Sequence, residues 1–407
     1  MKIAVFDQTL NKGGGLRFLI SLLVSVKHQR PDIDITLFCD TTNLKKLKVY
    51  DVLVKNGINV VEFGISYSKK IDGLLNLLSI FIYIFTKKKV ISIENIHRRH
   101  LQNRITKASK NIDLAFFPWP YFMEFPETHC PKVAVFHDFN YKYFFGMPIF
   151  NHEQTTNLDR SIEWWINHSA PVVSTNFMYN ELKKFYPDSA TVNVVHLPSL
   201  NPAMLDMSST QAVQSSLIPS GRYFLCSAHI VFHKNIGNVI SALSMLNAER
   251  DDKIKLIITG SGTEIIKGKS AYLGMERNAD QQCDVIGMGY VEDNIMEQLI
   301  IHSIGVINAS FYEAGNGVGL DAWQLGVPVL QSTIPAFREH IDLQGYRAFE
   351  FDPKNPDSIA NAMTTCIENN TMREDFILQS LNASKLNNWN VAANKYIEIF
   401  ERTIEQA

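Results

Sequence analysis

Short apolar runs alternate with longer amphipathic stretches along most of the chain. The runs KIAVF (2–6), DITLFC (34–39), NVVEFG (59–64), IDLAFFP (112–118), KVAVFHD (132–138), PVVSTN (171–176) and TVNVVHL (191–197) predict buried strands. Among the stretches between them, residues 15–27 and 177–186 are amphipathic at helical spacing. The alternation resumes with YFLCSA (223–228), KIKLIITG (253–260), CDVIG (283–287), GVINAS (305–310), PVLQS (328–332) and RAFEFD (347–352). Residues 356–405 predict two or three successive helices. Such alternation means parallel sheets covered on both faces. NPAMLDMSSTQAVQSSLIPSG (201–221) is Ser-rich, has prolines near both ends and lacks periodicity, so it reads as a linker. The expected architecture is α/β. A doubly wound domain spans 1–200, the linker 201–221, a second doubly wound domain 222–385, and a terminal helix over 386–407 returns to the first domain. Ligands of such sheets bind outside the carboxyl ends of the strands, and two facing domains enclose a cleft.

Composition fits this picture: 407 residues at 46% hydrophobic content supply two cores. Cys39, Cys130, Cys226, Cys283 and Cys366 are scattered without a C-x-x-C pair, which argues against a zinc site or a disulfide framework and fits a reducing cytosol. Apolar residues follow Met1 at once, so no leader is expected. LLNLLSIFIYIF (74–85) is too short to span a bilayer, which needs about 20 apolar residues. Charge is unevenly spread. Residues 1–120 carry 19 Lys and Arg against 9 Asp and Glu, a balance of +10; the chain total of −2 leaves −12 for the remainder. A basic front half suits an anionic partner, nucleic acid or a membrane surface, or is uneven surface charge without function.

Candidate chemistry concentrates in SFYEAGNGVGLDAWQLGVPVL (310–330), where Glu313 and Asp321 stand eight apart with Gly315, Gly317 and Gly319 between them. A helix is expected from Asp321 to Leu325, stopped by Gly326 and Pro328, so the glycine loop joins a strand end to a helix N-terminus. Glycines there let backbone N–H groups face a ligand, and carboxylates accept from sugar or ribose hydroxyls. A tight loop with an acidic helix cap would read the same way. DQTLNKGGGLRFL (7–19) opens a second candidate helix with Gly13, Gly14 and Gly15, able to meet a phosphate or an acceptor, or simply flexible. Its spacing is not G-x-G-x-x-G, which counts against NAD. His137 ends a strand within FHDF.

SFYEAGNGVGLDAWQLGVPVLQSTIPAFREH (310–340) resembles the signature of retaining glycosyltransferases of family 4: serine, aromatic, Glu, a Gly-rich turn, Leu-Glu-Ala, then Gly-Val-Pro-Val and a small-residue loop ending near a Glu. HKNIGNVISAL (233–243), LIITGSG (256–262), VIGMGYVEDNIMEQLI (285–300), FEFDPKNPDSIANAM (349–363), VFHDFNYKYF (135–144) and VSTNFMYNELKKFYP (173–187) resemble further segments in family order, so the likeness covers most of 130–400. It implies a GT-B fold, two Rossmann-like domains with the nucleotide sugar held mainly by the second. By the same resemblance Glu313 contacts the transferred sugar, Asp321 the ribose hydroxyls, and Lys234 the diphosphate. His137 becomes a contact to the donor sugar, with Asp138 orienting it or lining the acceptor side. Gly315, Asn316, Gly317, Val318, Gly262, Val291, Gly14 and Gly15 are assigned to donor binding, and Asp138 and Arg17 to the acceptor side.

There are departures from the family pattern. Asp321 replaces a Glu, the Gly-Phe-Gly-Leu-Pro turn is Ala314-Gly315-Asn316-Gly317-Val318, and Ala228 stands where many members carry an Arg. Asn316 is therefore a candidate for setting donor choice. The expected reaction transfers a sugar from a UDP- or GDP-sugar to a hydroxyl of a glycan or lipid-linked acceptor. Retention would follow from front-face attack, in which the departing diphosphate takes the proton. No metal is expected, since Lys234 and the loop amides supply the positive charge. No nucleic acid partner is expected. Residues 73–100, which join the apolar run to Lys87, Lys88, Lys89, Arg98 and Arg99, are expected on the cytoplasmic face of an anionic membrane or, alternatively, as a core helix. A nucleotide-sugar 2-epimerase of the same shape, and a non-catalytic sugar-nucleotide-binding subunit, are the competing functions.

Overall fold

Each of the thirteen runs predicted above as strands contributes a strand to one of two all-parallel sheets. The computed structural model describes residues 1–7, 13–39, 49–63, 93–122, 125–144, 152–189, 191–199, 218–248, 250–266 and 285–407. Residues 201–217 of the expected linker and 73–92 of the expected membrane segment lie outside the described residues.

In chain order the first described elements are β1 (Lys2–Asp7), α1 (Gly13–Gln29), β2 (Asp34–Cys39), α2 (Val49–Lys55), β3 (Asn59–Glu62), α3 (Ile93–Ala108), β4 (Leu114–Phe117), β5 (Lys132–Phe136), α4 (Asn140–Tyr143), α5 (His152–His168), β6 (Ala170–Val173), α6 (Asn176–Phe185) and β7 (Asn193–Val194). They build a seven-stranded sheet in the order β3-β2-β1-β4-β5-β6-β7. β1 and β4 are apolar through their centres because both faces are covered; Ile3 to Phe6 and Leu114 to Phe117 are all buried.

The second series is β8 (Tyr223–Ser227), α7 (Ile236–Ala248), β9 (Lys255–Thr259), β10 (Val285–Gly289), α8 (Asp293–Ile301), β11 (Gly305–Asn308), α9 (Gly317–Gln324), β12 (Val329–Ser332), α10 (Pro335–Gln344), β13 (Phe349–Phe351), α11 (Pro356–Glu368), α12 (Asn370–Leu386) and α13 (Trp389–Glu405). Its six-stranded sheet runs β10-β9-β8-β11-β12-β13. Phe224, Cys226, Leu256 and Ile258 enter one apolar cluster, while Tyr223, Leu225 and Ile257 enter another on the opposite face. Period-two alternation with both faces buried explains why these strands read as continuous apolar runs.

Both sheets have the doubly wound order of a Rossmann-like fold, with the winding reversing between β1 and β4 in one and between β8 and β11 in the other. By contacts the chain forms two units. One comprises Met1–Val173, Glu181–Val195 and Ala393–Ala407; the other comprises Ser174–Asn180 and His196–Ala392. In the first, Tyr396 and Phe400 of α13 pack edge-on against Phe116 of β4, with centroids 6.0 and 5.4 Å away. No helix among the described residues is long and apolar enough to cross a membrane.

The start of α9 differs from the sequence expectation. The helix expected at Asp321 begins at Gly317, so Gly317, Val318 and Gly319 form its first turn. The reason is Asn316, whose side chain caps that turn.

Candidate functional site

In the second unit the chain leaves β8 and β11 on either side of the winding reversal, where doubly wound sheets bind ligands. After β8 it forms a short 3-10 turn, Phe232–Lys234, which ends on Asn235 in the left-handed region at φ 56°. Two links hold the turn against the extension of β11. The Phe311 N–H donates to the His233 carbonyl at 2.8 Å. The Asn235 Nδ2 donates to the carbonyls of Ala309 at 3.0 Å and Pro353 at 2.7 Å. Lys234 is thereby delivered to Glu313, and its ammonium donates to Oε1 of that carboxylate. The Ser310 hydroxyl reaches the same oxygen at 2.7 Å. The pair is mostly shielded, at 20% and 16% exposure. Burial pushes the neighbouring His233 below its ordinary value, with Glu313 opposing.

β9 approaches β8 so closely that a side chain at Gly260 would sit 2.5 Å from the Ala228 carbonyl oxygen, at a backbone φ of +131°. Only glycine fits there. The turn continues through Gly262, beside Ile230.

Downstream of Glu313, the loop is held by four sets of bonds. The Ala314 carbonyl accepts from the Thr175 hydroxyl at 3.0 Å and the Ser174 hydroxyl at 3.4 Å. The Asn316 N–H donates to Nε2 of His340 at 3.2 Å, and His340 Nδ1 meets Gln344 Oε1 at 2.5 Å. Burial holds His340 down near 4, so the ring is neutral and its Nε2 accepts. The Asn316 side chain, fully buried, accepts from Gly319 N–H and Asn308 Nδ2, both at 3.0 Å, and donates to Gln331 at 2.7 Å. Asp321, 3% exposed, accepts from the Ser199 hydroxyl at 2.9 Å. The first intrahelical bond of α9 runs from Leu320 N to Asn316 O at 2.8 Å. The Gly317 and Val318 amides precede it, at the positive end of the helix.

Glu339 organises the same face. Its carboxylate accepts from the Asn176 N–H at 2.6 Å, the Phe177 N–H at 2.9 Å and His196 Nε2 at 2.6 Å. Burial raises its pKa, but these bonds outweigh burial and hold it below the usual carboxylate range. A carboxylate on the first amides of α6 is a helix cap supplied by a distant residue.

The sequence-nominated residues therefore divide. Lys234 and Glu313 are in contact; Gly315, beside His340 Nε2, and Gly317, with open space around it, follow Glu313 in the loop. The Val318 and Val291 side chains pack onto the cluster of Leu320 and Trp323. Asn316, nominated for donor choice, uses its side chain within the fold. In the first unit, Gly14 and Gly15 lie in the first turn of α1 and Arg17 in the next. His137 Nε2 donates to the Pro118 carbonyl at 2.8 Å, and the ring lies stacked on Trp119 at 4.7 Å and edge-on to Phe18 at 5.1 Å. Burial pushes His137 down to about 4. The Asp138 carboxylate accepts from Asn140 N–H at 3.0 Å. Sequence inspection did not nominate Ser310, Asn308, Asn235, Thr175, Glu339 or His340. Ser310 opens the quoted signature and Glu339 is the Glu near its end, so both carried a signal; Asn308 acts on its near neighbours Ser310 and Asn316, and Asn235 and Thr175 act on partners 74 or more positions away.

Residues 209–381 match the family model described as "Glycosyl transferases group 1". No curated protein sequence matches the chain. Among solved structures, a glycosyltransferase from Rickettsia africae aligns over 100% of this chain and 99% of its own at 15% identity and a TM-score of 0.63. Alr3699/HepE of Anabaena, solved in complex with UDP-glucose, aligns over 100% of both chains at 15% identity and a TM-score of 0.62. WaaG, a glycosyltransferase involved in lipopolysaccharide biosynthesis, aligns over 98% of this chain and 99% of its own at 12% identity and a TM-score of 0.64. At these identities the likeness shows the fold, which is GT-B: two Rossmann-like parallel-sheet domains.

Proposed function

We propose that this chain is a retaining glycosyltransferase that moves a sugar from a nucleotide sugar to a hydroxyl acceptor. The observation that carries the reading is the Lys234–Glu313 pair at the winding reversal of the second sheet, in the loop that leads into the N-terminus of α9. The group 1 match over 209–381 supports it. The donor diphosphate would lie against Lys234 and the Gly317 and Val318 amides, where one cation and a helix N-terminus meet leaving-group charge. Glu313 would accept from a hydroxyl of the transferred sugar. Asp321 would act on the ribose through a small shift or a bridging water, because Ser199 already holds it. In the first unit, Gly14 and Gly15 would contact the donor, and Arg17 and Asp138 the acceptor. The neutral His137 would offer Nδ1 to the donor sugar.

Catalysis would come from position and electrostatics. The acceptor hydroxyl attacks the anomeric carbon on the face of the departing diphosphate. The carbon–oxygen bond to that diphosphate breaks as the new glycosidic bond forms, and a diphosphate oxygen takes the hydroxyl proton. No metal is required in this scheme. UDP-sugars are the first donors to test, since a solved structure of similar fold holds UDP-glucose. A lipid-linked or polysaccharide acceptor at a membrane surface suits the basic front half. The test is incubation with labelled UDP- and GDP-sugars. Transfer or slow donor hydrolysis is expected. Epimerisation at C2, or binding without turnover, would overturn the reading.

A further inference from the structure

The hydrogen bonds around Glu313 form a chain whose direction is set from its far end. Gly319 N–H can only donate, and its acceptor at 3.0 Å is Asn316 Oδ1. The Phe337 carbonyl can only accept, and it takes Gln331 Nε2 at 3.2 Å, which turns Gln331 Oε1 toward Asn316 Nδ2 at 2.7 Å. Both ends give the Asn316 amide the same orientation. Asn308 lies 3.0 Å from Asn316 Oδ1, so it presents Nδ2 there and Oδ1 to the Ser310 hydroxyl, also at 3.0 Å. The Ser310 Oγ lies 2.7 Å from Glu313 Oε1 as well. A hydroxyl carries one proton, and here it faces two acceptors.

The same Glu313 oxygen takes a bond from Lys234. While the lysine is present, the carboxylate has a cation, and Asn308 can compete for the serine proton. A diphosphate arriving at Lys234 changes the balance. The ammonium then serves two anions, and a carboxylate only 16% exposed is left beside added negative charge. We propose that Ser310 is a positioning residue for Glu313: its hydroxyl proton is shared with Asn308 in the free protein and goes over to Glu313 when a diphosphate draws Lys234 away. A neutral donor suits this role, because it holds the carboxylate without competing for the diphosphate. The identity of the diphosphate rests on the transferase reading; the shared proton rests on the bond directions alone.

The test has two arms. In the ligand-free protein, Ser310→Ala, Lys234→Met and the double variant are compared by thermal melting. Because the two donors serve one oxygen, the double variant is expected to lose more than the sum of the single losses; additive losses would overturn the proposal. In the second arm UDP-glucose turnover is measured. Ser310→Ala is expected to lower kcat about tenfold, or 1.4 kcal/mol, with KM within about twofold, and Ser310→Thr to recover most of it. Wild-type kcat in Ser310→Ala, or equal loss in Thr and Ala, would overturn it. If the wild type turns over no nucleotide sugar at all, the transferase reading fails, and the melting arm alone decides the role of Ser310.

Discussion

Lys234 and Glu313 neutralise each other in the ligand-free protein, so removing either leaves a shielded charge as well as an unfilled contact. Lys234→Ala and Glu313→Ala should each lower turnover by about 100- to 1000-fold, the usual cost of one preorganised charge contact. Near-normal steady-state rates in both would remove them from the site. His340 makes a second expectation. Only the neutral ring accepts the Asn316 N–H; a proton on Nε2 would set one donor against another. Its folded value, about 4 against the ordinary 6.5, lies below the unfolded one, mainly through burial, with Gln344 opposing and His196 and Glu339 contributing smaller opposed effects. As pH falls, the unfolded chain therefore takes the proton first. The stability His340 contributes is full above about 6.5, declines toward 4 and is lost below, a change on the order of 3 kcal/mol. Urea midpoints should fall across that window, and His340→Gln should flatten the slope. His137, also near 4, keeps part of the slope in the variant. An unchanged slope in His340→Gln would exclude His340 as a source.

At the level of elements, α9 depends on one residue pair. A methyl group on Gly319 would sit 2.4 Å from the Asn316 side-chain amide. Gly319→Ala should therefore cost about 1–3 kcal/mol, read as a lower melting temperature. Adding Asn316→Gly should relieve the clash and recover part of the loss, while leaving Asn308 and Gln331 without their partner. No recovery would mean that the amide is not what fills that space. The same turn shows where sequence reading reaches its limit. The strands were legible because their runs are buried on both faces, as Leu114 to Phe117 are. The start of α9 was not, because Gly317 and Gly319 each cost about 1 kcal/mol in a helix relative to Ala, and the Asn316 cap and the packing of Leu320 and Trp323 that offset them show only in the fold. Lys234 and Glu313 were legible from family likeness, 79 positions apart. Thr175 on Ala314 and Glu339 on Asn176 were not, since contacts across 139 and 163 positions leave no local periodicity.

For the whole molecule, the +10 balance of residues 1–120 is the property with the longest reach. At about 1 kcal/mol per basic residue near an anionic surface, Lys87, Lys88, Lys89, Arg98 and Arg99 would suffice for reversible docking, which we propose for this segment. The protein should sediment with anionic vesicles at low salt, and Lys87→Glu, Lys88→Glu and Lys89→Glu together should abolish this while donor hydrolysis persists. Wild type that stays in the supernatant would end the idea. Turnover should also survive a chelator; loss restored by a divalent cation would replace the charge scheme around Lys234. Finally, the two units are interleaved along the chain. Ser174–Asn180 and His196 onward cluster with the second unit, while Ala393–Ala407 return to the first. Chimeras between this chain and a relative therefore cannot be cut once, in the linker. A foreign second half would meet native Thr175, Asn176 and His196 where it needs its own partners for Ala314 and Glu339. Recombinants that keep the second unit whole need crossovers after Val173, Asn180, Val195 and Ala392, and single-crossover libraries should yield mostly misfolded chains.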